Sequence, residues 1–401
     1  MAERGSGRPF LLAAALAAPV LAAPARAPDA IPFRYAEARL YVPVAAAAGP
    51  LGDFILDTGA PGVMVDSGLQ GRLGAATLSR HNAEGAGTGR FDVAVAGPAL
   101  LSVAGVPLRV PSVETGALDR LLGPYCGCRV AGIVGAPFFR DHVVTIDFRR
   151  GRIALADPAA FHYRGAGARL KLDLSHDVPI VAGTIGLADG SALKLRLLVD
   201  LGAKANLLVA TPFVAKYRLL ERLGRTVEAP LGAGLGGETR YAFARLPLLR
   251  VGDGAAVTAR NLVVGLSVRD TLRGGTYDAL LGAQFLRNYR IIFDYSRREM
   301  ILEPAPGARP DRFDRSGAFL VAGADDRGRI AVREILPGSP AAEAGLRKDD
   351  LILAVDGRPI RAWTLAALRA RLAAPGSRPV AVTLRRGDEE IRATIRLRTL
   401  I

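Results

Sequence analysis

"FILDTGAPG", residues 54–62, runs an apolar strand straight into a carboxylate. Phe54, Ile55 and Leu56 lead to Asp57, and Thr58, Gly59 and turn-forming residues follow at once. An acid at the end of a buried strand is costly unless it is paired or used. The same arrangement returns in "LRLLVDLGAKANLLVA", residues 195–210, where an apolar strand ends on Asp200. Downstream of each lies a second matching block, "AGIVGAPFFRDHVVTIDFRRGRIAL" (131–155) and "DALLGAQFLRNYRIIFDYSRREMIL" (278–302). Gly135 and Gly282 are 147 residues apart, as are Asp147 and Asp294; Asp57 and Asp200 are 143 apart. The two copies therefore differ by four residues of loop length. A period this long exceeds that of a solenoid unit and predicts two homologous lobes in one chain.

Each lobe opens with alternating strands: "FRYAEARLYVPV" (33–44) in the first, "VPIVAGTIG" (178–186) and "ALKLRLLVD" (192–200) in the second. Each continues through a Gly-rich hairpin region, "EGAGTGRFDVAVAG" (84–97) and "LGAGLGGETRYAFARL" (231–246). Each closes on an apolar-apolar-Gly turn, a short helix and a strand pair. Alternation of period two with abundant Gly and Pro predicts a mostly β chain. Asp147 and Asp294 sit before strand turns beside arginines, so they read as turn or ion-pair residues outside the site.

The chain has 401 residues and a formal net charge of +15, but its arginines are scattered and form no stripe. Nucleic acid is therefore not an expected partner. Residues 1–25 read as an export signal: Arg4 and Arg8, an apolar run from Phe10 to Leu21, and small residues with cleavage after Ala25 or Ala27. The run is too short for a comfortable membrane span, so no stable membrane anchor is expected after cleavage, and the chain is expected to be periplasmic or extracellular. Cys126 and Cys128 read as structural or incidental, because a bridge across one residue closes a strained small loop. The four histidines show no metal-ligand spacing, so neither a metal nor a cofactor is expected.

From about residue 30 to 305 the chain resembles the retropepsin-like aspartic peptidases, in particular bacterial exported proteins with two such lobes. The resemblance rests on Asp57-Thr58-Gly59-Ala60, on Asp200-Leu201-Gly202-Ala203, and on the turns Ile133-Val134-Gly135 and Leu280-Leu281-Gly282. It implies two β-barrel lobes, residues 30–165 and 166–305, with Asp57 and Asp200 as a catalytic pair acting on a peptide or protein substrate. Thr58, Gly59, Leu201 and Gly202 would support the active-site loops. Gly87-Thr88-Gly89 and Gly234-Leu235-Gly236 would be flap tips. Two adjacent carboxylates share one proton between their apparent pKa values, and that state activates a water. Ala60 and Ala203 supply no hydroxyl to the carboxylates, so a mildly acidic optimum is expected. The departure is Leu201, where the family has Thr or Ser. That hydroxyl would grip the opposite loop, and its loss leaves a backbone donor without that partner, at about 1–3 kcal/mol. On this expectation Leu201→Thr raises the melting temperature or the turnover. The same residue keeps a second reading open, a non-catalytic peptide-binding scaffold derived from a peptidase.

Residues 306–316 form a Pro- and charge-rich linker, and 317–401 resemble an α+β PDZ domain of bacterial exported proteases. Pro337-Gly338-Ser339-Pro340 starts a short helix, Asp356-Gly357 turns a strand pair, and "LAALRARL" (365–372) reads as a helix. The resemblance implies that the amides of Gly317, Ala318, Phe319 and Leu320 hold a peptide's terminal carboxylate, with Leu365 and Leu368 lining its apolar pocket. The module would recruit or gate substrate.

Overall fold

The computed structural model describes residues 30–253, 257–307, 311–376 and 378–401. The expected export signal lies outside the described residues. The protein is mostly β, with barrel-like sheets and a smaller sheet-and-helix domain at its C-terminal end. Among the described residues no helix is long and apolar enough to cross a membrane.

The two copies of the sequence pattern fold alike around their acids. In the first, strand Gly49–Leu56 lies parallel to Gly132–Val134, which runs antiparallel to Val63–Asp66. In the second, Ala192–Asp200 lies parallel to Ala279–Gly282, which runs antiparallel to Leu207–Val209. Phe54, Ile55 and Leu56 are buried, as are Leu197, Leu198 and Val199, because these central strands are covered on both faces. The glycines of the apolar-apolar-Gly turns now have a reason. A Cβ on Gly135 would collide with the Ala60 carbonyl, and one on Gly282 with the Ala205 carbonyl. Their amides donate to Gly62 and Asn206, each at 3.0 Å, so the turn is strapped under the acid loop.

The first copy belongs to a ten-stranded sheet and the second to a seven-stranded one that curls until Ile180–Gly186 pairs with Gly237–Val251. A third sheet of six strands joins them. Val143–Asp147 pairs antiparallel with Tyr289–Asp294, placing Ile146 opposite Ile291. Leu56, Phe139, Val199, Phe285, Ile291 and Phe293 belong to one continuous apolar core spanning both copies. Asp147 accepts the Arg149 and Arg150 amides, and Asp294 accepts the Arg297 amide and the Ser296 hydroxyl. Both therefore cap turns.

Two stretches differ from their sequence reading. Residues 33–44, expected as alternating strands, form a hairpin whose turn the sequence reading did not locate, Arg34–Ala36 against Arg39–Ala46, turning at Glu37 and Ala38 with φ of +50° and +56°. No glycine marks that turn. Within the expected linker, residues 311–316 pack on the rest of the chain. The Phe313 ring lies 5.1 Å from that of Phe243, tilted by 46°, and the Asp311 carboxylate accepts the Val263 amide.

The C-terminal sheet orders its strands Ala318–Ala322, Ile330–Ile335, Leu351–Val355, Val380–Arg386 and Glu389–Ile395. Helix Leu365–Leu372, capped by the Thr364 hydroxyl, covers it with Leu365, Leu368 and Leu372 buried.

Candidate functional site

Strand registers bring the two acids together. Leu40 pairs with Leu56 and Ile180 with Leu198, so each acid leaves the end of a buried strand toward the seam between the copies. The Asp57 and Asp200 carboxyls face each other across that seam, each lying against the other loop's glycine and close enough to shift the other's ionisation. Asp57 Oδ1 accepts the Gly59 amide at 2.8 Å. Asp200 Oδ1 accepts the Gly202 amide at 2.8 Å and the Ala203 amide at 2.9 Å. Glycine is required after each acid: a Cβ on Gly59 would stand 2.8 Å from Asp200 Cγ, and one on Gly202 would collide with the Asp57 carboxylate.

Both acids open to a cleft on one side and are enclosed by protein on the others. Burial pushes Asp57 above the usual carboxylate range, against the pull of the Gly59 amide and the Arg39 charge. Burial and then the neighbouring Asp57 push Asp200 well above it. Two acids this close cannot both ionise cheaply, so they hold one proton between them over a window of pH.

Half of the expected grip is made. The Thr58 hydroxyl donates to the Val199 carbonyl at 2.7 Å and accepts the Leu201 amide at 3.1 Å. The Leu201 amide is thus satisfied. The Leu201 side chain, fully buried in the common core, supplies packing where a hydroxyl would have supplied the mirror bonds.

A cavity of about 400 Å³ lies over the acids, walled by Ile55, Met64 and Ile133 on one side and Leu198, Tyr241 and Leu280 on the other. Two hairpin tips roof it. Gly87 and Gly236 form a bridge, the Gly89 amide donates to the Gly236 carbonyl at 2.8 Å, and the Gly236 amide donates to the Ala86 carbonyl at 2.8 Å. Gly87 has φ of +112°, and a Cβ there would strike the Gly236 backbone. Gly234 packs as tightly on Ala86, Leu235 lines the cavity, and Thr88 is exposed at the tip.

Sequence reasoning missed the charges around this cleft. Glu37, in the unmarked turn, is buried and ion-pairs with both Lys204 and Arg369. Lys204 sits four residues past Asp200, and burial lowers its pKa to about 8. Arg39 lines the cleft at 8% exposure. Cys126 and Cys128 carry free thiols.

The PDZ groove faces the rest of the molecule. A cavity of about 690 Å³ is lined by Gly317, Ala318, Phe319, Leu320 and Arg369, and by Glu37, Lys204 and Phe243 from the β units. Two of the amides expected to hold a carboxylate are already engaged. Gly317 donates to Asp314 Oδ1 at 2.6 Å, and Ala318 donates to the Ser316 hydroxyl at 3.0 Å. Burial raises Asp314 to about 6. Leu365 and Leu368 lie in the apolar core of this domain. The edge strand Ala318–Ala322 is met by helix Leu118–Cys126, with the Tyr125 ring 6.3 Å from that of Phe319. Arg369 donates to the Leu320 carbonyl at 2.5 Å and to the Tyr125 carbonyl at 3.0 Å, crossing the groove.

The model of the PDZ domain family matches residues 332–386. The sheet continues beyond the match at both ends, through Ala318–Ala322 and Glu389–Ile395.

Proposed function

We propose that the chain is an aspartic endopeptidase of the retropepsin-like kind, with Asp57 and Asp200 as its catalytic pair and the PDZ domain as a substrate-recruiting or regulatory module. The observation that carries the reading is the facing pair of buried acids at the floor of a cleft between two similarly folded copies. In the singly protonated pair, the ionised acid takes a proton from a water while the protonated one donates to the scissile carbonyl oxygen. The amides of Gly59, Gly202 and Ala203 steady the charge. The glycine tips that touch over the cleft would part for substrate and then exclude solvent. PDZ domains bind peptides, commonly by adding a strand to a sheet edge. Export after cleavage near Ala25 belongs to this proposal and is tested by N-terminal sequencing of the secreted chain.

A second reading, a peptide-holding scaffold without turnover, is favoured by Leu201 alone. A peptide-library digest separates them. The peptidase reading expects cleavage that a statine-type mimic inhibits and that Asp57→Asn abolishes. Binding without cleavage would favour the scaffold.

A further inference from the structure

Arg39 is an unusual residue for its place. It begins strand Arg39–Ala46, and continuing the Leu40–Leu56 register sets it opposite Asp57. The register of the second copy sets Val178 opposite Asp200 in the same way. Both residues line the cleft. The position is thus satisfied by an apolar side chain in one copy and carries a guanidinium in the other, so packing alone does not call for the charge.

Arg39 as a residue is more than nine-tenths buried, its side chain lines the cleft, and among the described residues its guanidinium makes no hydrogen bond or ion pair. Arginine cannot shed its proton to relieve burial. The groups around it are otherwise committed. Glu37 pairs with Lys204 and Arg369, and Asp57 is tied to Gly59 and faces Asp200. Tyr41 and Cys126 are neutral neighbours, and Lys204 has the same sign. The same cleft is lined by Ile55, Met64, Leu122 and Ile133, which suit the aliphatic stem of a substrate side chain. A carboxylate at the end of that stem would complete a charge-assisted pair in a desolvated site.

We propose that Arg39 is the specificity-determining residue of a subsite for an acidic side chain, so that the substrates are peptides carrying Glu or Asp close to the scissile bond. This rests on the peptidase reading above. Arg39 also helps hold down the Asp57 pKa, and a role confined to that would move the pH profile without discriminating between substrates.

The test uses the full chain and peptide pairs differing only as Glu or Gln at each position flanking a mapped cleavage site. A charge-assisted bond predicts about a 10- to 100-fold higher kcat/KM for Glu at one position. The ratio should collapse toward one in Arg39→Gln, survive in part in Arg39→Lys, and shrink below about pH 4 as the substrate acid protonates. Asp57-dependent cleavage with a Glu/Gln ratio of one at every position overturns the subsite, as does a wild-type ratio unchanged in Arg39→Gln. The same pairs made as non-cleavable reduced-bond peptides give a binding ratio that needs no turnover. A retained Glu preference without cleavage would sink the peptidase reading and leave the subsite standing.

Discussion

At the scale of single residues, the site is held by a hydroxyl on one side and packing on the other. Thr58 makes two bonds across the seam, while Leu201 fills the core beneath it. Thr58→Val keeps the shape and removes both bonds, so it should cost about 1–3 kcal/mol, read as a loss in denaturant midpoint. The sequence leads one to expect that Leu201→Thr raises the melting temperature or the turnover. Its buried environment argues against the stabilising half of that expectation: lost apolar packing should outweigh a new hydroxyl bond and lower the melting temperature. An unchanged or higher melting temperature would show that the mirror bonds form after all. Asp314 carries a pH signature. Its folded pKa, about 6, lies above its ordinary value, so the fold holds the proton more tightly than the unfolded chain does. That contribution is full at low pH and is lost as pH rises from the ordinary aspartate range through 6. Wild type should therefore lose stability relative to Asp314→Asn across that window, measured by urea unfolding at stepped pH.

At the scale of elements, the acid loops were legible because their chemistry is local: an apolar strand, an acid, a glycine, each given twice. The turn at Glu37 and Ala38 was not, because residues with ordinary side chains hold φ > 0 there. What justifies the turn is tertiary, since Glu37 is the shared partner of Lys204 beside the acid loop and Arg369 on the PDZ helix. Those partners lie 167 and 332 residues away, and no spacing rule links them. Removing one member of a buried charge cluster leaves the others uncompensated, so Glu37→Gln should destabilise by about 3–5 kcal/mol. A loss below about 1 kcal/mol in chemical denaturation would mean that water reaches the two cations. Helix Leu118–Cys126 escaped notice for a different reason. Pro124 and Gly123 lie inside it, and its roles are tertiary: Leu122 lines the cleft and Tyr125 packs on the PDZ edge strand.

At the scale of the whole molecule, the PDZ domain is docked rather than tethered. Arg333 pairs with Glu238 at 3.1 Å, and Glu334 pairs with Arg240. Tyr125 also donates to Glu238, at 3.1 Å. The residues gripped belong to the hairpin whose tip roofs the cleft. Each such partly exposed pair contributes only about 0.2–1 kcal/mol, too little to fix the global fold but enough to bias a hairpin. The double variant Arg333→Ala, Glu334→Ala should keep its melting temperature within a few degrees and speed hydrogen exchange in residues 227–240. Unaltered exchange there would show that the PDZ domain does not restrain the hairpin. The modules were visible in the sequence as two patterns and a composition shift. Their docking was not, since it depends on single charges placed by the fold.

The pair of acids remains the centre of the account, and one profile addresses it directly: kcat/KM against pH for wild type, Asp57→Asn and Asp200→Asn on a peptide the wild type cleaves. Burial and mutual repulsion raise the pair, so the wild-type curve should peak at mildly acidic pH. Each single variant should fall by at least about 10²–10⁴-fold across the range. A peak near pH 2, or a variant that retains wild-type turnover, would contradict a shared proton between Asp57 and Asp200.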